Sequence, residues 1–210
     1  NMALLFAKNN SLSAVTALPA SISGGGLNLI STQTASSSAT ISFTSGLDST
    51  YKEYIFKFIN MHPVTDQVGF EFNMSTDSGS NYNVTKTSSF FISYHNEAGD
   101  QSGLVYNGSL SNDLAQSTDF QHLIFPTLSN DADSNVSGTL HLFDPSNTTF
   151  VKNFICINNA NIEAQGADVE YTENFFVAGY GNTTQAVNAI QFKMSSGSIE
   201  SGVIKMYGVT

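Results

Sequence analysis

The stretch from Tyr54 to Met74 limits most severely what this chain can become. Apolar side chains fall at every second position in Tyr54, Phe56 and Phe58, and again in Val68, Phe70, Phe72 and Met74. Successive side chains of a strand alternate between its two faces, so this period predicts two strands with one buried face each. Between them lies His62-Pro63-Val64-Thr65-Asp66, where proline removes a ladder donor and an Asp side chain can satisfy a turning backbone. The chain is expected to fold back here as a core hairpin, with Glu53 and Glu71 on its solvent side. On the other face of the first strand Ile55, Lys57 and Ile59 are only partly polar, which predicts partial cover by another sheet or another subunit.

Shorter alternations follow the same rule. Ile41 with Phe43, Phe90 with Ile92 and Tyr94, Leu104 to Tyr106, Phe120 to Phe125, Gly138 to Phe143, Phe150 to Ile157, Phe175 to Ala178, Ala189 to Met194 and Val203 to Tyr207 read as strands. Loops rich in Ser, Asn, Asp and Gly separate them, and residues 158–174 are polar and poorly patterned. Nine or ten short strands without an amphipathic helix predict an all-β fold, an antiparallel β-sandwich of jelly-roll type.

The first 47 residues are unlike the rest, with Lys8 as their single charged side chain where an average segment would carry about a dozen. Leu4, Leu5, Phe6, Leu12, Val15 and Leu18 cannot form a core by themselves. Residues 1–36 are therefore expected to be an extended N-terminal arm whose apolar side chains dock on a partner for assembly, ahead of a sandwich domain over 37–210. The competing expectation is a flexible leader or edge strands of the same domain.

Charge and cysteine content exclude several functions. Seven basic residues, all lysine, stand against 17 acidic ones, a net charge of −10. Binding a phosphate backbone needs cations to displace condensed counterions, so nucleic acid is not an expected partner. No apolar run approaches the ~18 residues of a membrane span, and Ala3 to Ala7 is too short for a secretory signal. The single cysteine, Cys156, permits no intrachain disulfide and reads as a buried thiol.

The expected catalytic, cofactor and metal sets are empty, with one weak calcium candidate. Asp131, Asp133 and Asn135 have the alternating oxygens that begin a calcium loop, but Val136 stands where that loop needs glycine and Leu142 where it needs a bidentate Glu. His62, His95, His122 and His141 lack zinc spacing, His95 with Glu97 being the closest polar pair. Glu53, Glu71, Glu170 and Glu173 are the carboxylates a glycosidase would draw on. Neither a Gly-x-Ser-x-Gly elbow nor a phosphate loop is present. Tyr82, Tyr94, Tyr106, Tyr171 and Tyr180 could offer stacking faces to sugar rings.

Several phrases carry a resemblance. Ile41-Ser-Phe-Thr-Ser-Gly46 with Tyr51 to Pro63, the loop Asp77 to Asn83, the strip Leu140 to Thr149, and Ala189 to Gly197 followed by Ser201 to Gly208 resemble a family of virion structural proteins of tailed phages, of marine and cyanobacterial type. The closing strand, Ser-Ser-Gly loop, strand and terminal Tyr-Gly are its most specific part. The resemblance implies a multicopy particle component and brings no catalytic residues. Together with the acidic charge, which opposes contact with DNA, it leads to the expectation of a non-enzymatic protein on the particle exterior, decorating the head or forming part of a tail appendage. Its implied partners are other capsid or tail proteins and copies of itself, a trimer among the options. The alternative is a recognition module of a tail fibre or spike that binds host-surface glycans.

Overall fold

The computed structural model describes residues 26–106, 112–163 and 170–210. In chain order the strands are β1 (Leu27–Ser38), β2 (Ile41–Phe43), β3 (Glu53–Pro63), β4 (Phe70–Ser75), β5 (Lys86–Asn96) and β6 (Ser102–Tyr106), then β7 (Gln121–His122), β8 (Asn135–Phe143), β9 (Lys152–Glu163), β10 (Glu170–Gly181), β11 (Ala189–Met194) and β12 (Ile199–Val209). They form an all-β sandwich of two antiparallel sheets. The larger has the order β1-β12-β3-β8-β9-β10-β5-β6, the smaller β2-β11-β4-β7.

Alternation builds the core as the spacing predicts. Tyr54, Phe56 and Phe58 of β3 point inward with Leu140 and Leu142 of β8, and Phe70, Phe72 and Met74 of β4 answer from the smaller sheet; all are buried. Phe192 of β11 lies at the centre, its ring centroid 5.6 Å from Phe56, 5.8 Å from Phe58 and 5.9 Å from Phe70. Each such burial contributes about 1.5 to 3 kcal/mol.

The expected core hairpin is not formed. β3 and β4 belong to different sheets, and residues 64–69 carry the chain across the roughly 10 Å between them. Both apolar runs seek the same interior, and facing each other across it buries both without sharing a ladder. Glu71 is consequently not on the solvent side: its strand is flanked by β11 and β7, and it is buried.

Three further strand limits differ from expectation for one reason, polar residues in inward positions. β5 begins at the buried Lys86, β9 runs on through the buried Asn158 to Glu163, and β10 starts at Glu170 inside the stretch that looked unpatterned. Asn158 is tolerated because its Nδ2 donates to the Leu123 carbonyl at 2.8 Å.

At the start of the described chain, β1 pairs along the whole of β12, from Leu27 opposite Val209 to Ser38 opposite Ile199. Residues from Leu27 onward are thus an edge of the sandwich, the competing expectation for that part of the 1–36 segment. Leu4, Leu5, Phe6, Leu12, Val15 and Leu18 lie outside the described residues. The closing pattern also has a structural account. Gly197 turns β11 into β12 with a φ of 69°, and a Cβ there would collide with Thr65; one on Gly208 would collide with the Tyr51 ring.

Candidate functional site

The densest polar constellation lies against β4, where Glu71 and Asn73 alternate with the core phenylalanines and so face away from them. Segment 112–122 covers this side. Glu71 Oε1 is 2.6 Å from His122 Nε2, and Lys193 Nζ from β11 stands 3.4 Å from Glu71 Oε2. The His122 ring is fixed from behind by Asn112 Oδ1 at 2.9 Å from Nδ1, and Lys193 also lies 4.5 Å above the Phe120 ring. Glu71, Phe120, His122 and Lys193 line a cleft of about 380 Å³ together with Tyr82, Leu114, Thr118 and Asp119. Both nitrogens of His122 are engaged, so the imidazole offers a substrate no lone pair until one of those bonds breaks.

Deeper in the same region, Asn73 and Lys86 are fully buried. Lys86 Nζ donates to Asn73 Oδ1 at 2.6 Å and to the Val84 carbonyl at 2.8 Å. Burial pushes the Lys86 amine down to about 7, against a smaller upward pull from the charge of Asp119. Asn73 Nδ2 donates to the carbonyls of Tyr82 at 2.8 Å and Thr118 at 2.9 Å. Neither residue attracts notice in the sequence. The available signal was a lysine at the inward phase of the Phe90–Ile92 alternation.

The calcium candidate lies at one end of the sandwich. The fold brings Asp131 and Asp133 to a shallow cleft with Asn161, Glu163 and Glu170, two acids that the linear motif did not include. The charges of Asp133, Glu97 and Asp131 hold Glu170 above the usual carboxylate range. Asp131 is held below it by hydrogen bonds from Ser129 and with Glu163. Asn135 turns elsewhere, its Nδ2 donating to the Asp133 carbonyl at 3.1 Å and its backbone N–H to Asn161 Oδ1 at 3.0 Å. Among the described residues no group of three or more His, Cys, Asp or Glu is arranged to hold a metal ion.

The remaining candidates are dispersed. His62 Nδ1 is 2.6 Å from the Ser134 carbonyl, and His141 Nδ1 is 2.6 Å from Glu53 Oε1 on the outer face of the larger sheet. His95 and Glu97 border another cleft with Glu170 and Tyr171. Tyr94 and Tyr171 have ring centroids 6.2 Å apart, Tyr106 packs on Phe91 at 5.1 Å, and Tyr180 receives a hydrogen bond from Gln116. The tyrosines thus divide among several surfaces.

The outer face of the larger sheet carries a different signal. Ile157, Phe176, Phe91 and Tyr106 are directly opposite one another across β9, β10, β5 and β6, and all four are exposed, Ile157 by 52%. Leu104, 75% exposed, lies on the same face beside them. No protein-family model, curated protein or solved structure matches this chain.

Proposed function

We propose that the chain is a non-enzymatic structural protein on the exterior of a tailed-phage particle, present in many copies and packed against its neighbours through the outer face of the larger sheet. The observation that carries this reading is the apolar row Ile157–Phe176–Phe91–Tyr106. Single exposed apolar residues are ordinary, but a contiguous row across four strands marks an interaction surface. Aromatic residues at its centre suit an interface core. The resemblance of residues 41–208 to virion proteins supplies the setting, and the net charge of −10 suits an exterior position better than contact with DNA.

The test is particle incorporation together with oligomeric state. Light scattering after gel filtration is expected to give a homo-oligomer, and labelled protein is expected to coat the head or tail of particles. Phe176→Lys, which places a charge in the middle of the exposed row, is expected to give folded monomers that are left off the particle. Wild-type monomers absent from purified particles would overturn the reading. Reproducible hits on a glycan array, weakened by Tyr94→Ala or Tyr171→Ala, would replace it with glycan recognition.

A further inference from the structure

Among the six lysines of the described residues, Lys86 and Lys152 are buried, and they differ in their surroundings. Among the described residues Lys152 Nζ donates to backbone carbonyls, those of Phe150 at 2.6 Å and Thr183 at 3.3 Å. Lys86 meets a side-chain carboxamide. Asn73 Oδ1 lies 2.6 Å from its Nζ, so the amide carbon is no farther than about 3.8 Å from it, given a C=O bond of about 1.23 Å. Both side chains have no exposed surface. A buried ammonium is normally stabilised by a carboxylate beside it, yet Asp119 acts on Lys86 only through its charge.

We propose that Lys86 and Asn73 join in an intramolecular isopeptide bond, formed by the protein itself, that ties β4 of the smaller sheet to β5 of the larger one. The Lys86 Nζ lone pair adds to Asn73 Cγ. Negative charge gathers on Oδ1, which already accepts the Met74 backbone N–H at 2.8 Å, the donor such an oxyanion needs. One Nζ proton passes to the departing Nδ2, which is bonded to the same carbon in the tetrahedral intermediate. The Cγ–Nδ2 bond breaks, ammonia leaves, and a secondary amide remains between Nζ and Cγ. Atoms and charge balance without water, oxidant or cofactor.

The site prepares each part of this step. Burial depresses the lysine so that a large share is the neutral, nucleophilic amine near pH 7. The Tyr82 and Thr118 carbonyls hold the carboxamide in one orientation, and a fixed pair reacts as though at an effective concentration far above any attainable in solution. The product gives a chain with one cysteine a covalent link between its layers that no disulfide within it can provide. It also removes the cost of a charged lysine in the core, since the amide nitrogen no longer titrates.

Intact-mass measurement of the full chain decides the matter. The expected mass is lower than the sequence mass by one ammonia, about 17 Da, with a branched peptide joining the segments that carry Asn73 and Lys86. Lys86→Arg and Asn73→Ala are expected to show their unshifted sequence masses. A wild-type chain that keeps its full sequence mass after prolonged incubation between about pH 7 and pH 9 overturns the proposal, because a large and growing share of the amine is neutral over that range. A branched peptide lying elsewhere overturns it as well.

Discussion

Phe58 and Phe70 face each other across the sandwich with ring centroids 5.4 Å apart at 75°, although they belong to strands of different sheets. The pair is where the chain's strongest alternation becomes a core, because each ring is fully buried and edge-to-face contact adds to the burial itself. Phe192 completes the contact with its ring nearly parallel to Phe70 at 16°. Phe192→Ala should therefore cost about 3 to 5 kcal/mol, because five rings surround the cavity it leaves and cannot all close on it. Denaturant midpoints measured at unchanged slope check this. A cost near that of an exposed site would mean the ring is not the centre of the core.

Glu71 and His122 make a testable pair of another kind. Their facing atoms are 2.6 Å apart and both side chains are largely withdrawn from water. Glu71→Ala removes a carboxylate that His122 and Lys193 both address, and breaking such a pair leaves uncompensated polar groups. The expected loss is about 3 kcal/mol, and the double variant with His122→Ala should lose less than the sum of the two singles. Strict additivity in a double-mutant cycle would show that the contact does not couple them.

Cys156 is fully buried in β9 beside Asn158, and burial pushes its thiol up to about 12. The thiolate is the reactive form, so a thiol reagent at pH 8 should label the native protein only through unfolding and label it at once in denaturant. Labelling rate against denaturant concentration is the measurement. Rapid native labelling would place the thiol at the surface.

These sites show what the sequence makes visible. Regular phenylalanine spacing exposes which face of a strand is inward, so the sandwich and most of its core were legible in Phe56, Phe58, Phe70 and Phe72. Alternation says nothing about which strand lies beside which, and so β3 and β4 looked like a hairpin and Glu71 like a surface residue. Inward polar residues hide the ends of strands, as Lys86 does for the start of β5 and Asn158 for the far end of β9. The site around Asn73 was the least legible, since its members come from β4, β5 and the loops at Tyr82 and Thr118, and each alone resembles ordinary surface polarity.

Glu173 gives the clearest pH dependence. It sits on the inward face of β10 opposite Ala160, near Phe125, Thr127 and Tyr171, and its Oε2 is buried with no hydrogen-bond partner among the described residues. Desolvation dominates and raises its carboxyl to about 7 from an ordinary 4.5, while a hydrogen bond with Thr127 pulls weakly the other way. A raised folded-state value means that, between those two limits, the native chain keeps a proton the unfolded chain has released. This contribution to stability is complete below about pH 4.5 and is lost as pH rises through about 7. Allowing for the part of the side chain that water reaches, the loss is on the order of 2 kcal/mol. Glu173→Gln keeps the shape without the charge, so it should stabilise the protein above pH 7 and leave stability at pH 4 nearly unchanged. Unfolding midpoints of the two proteins across that range should converge at the acid end and separate toward the alkaline end. Parallel curves would mean that Glu173 ionises as freely in the folded chain as in the unfolded one.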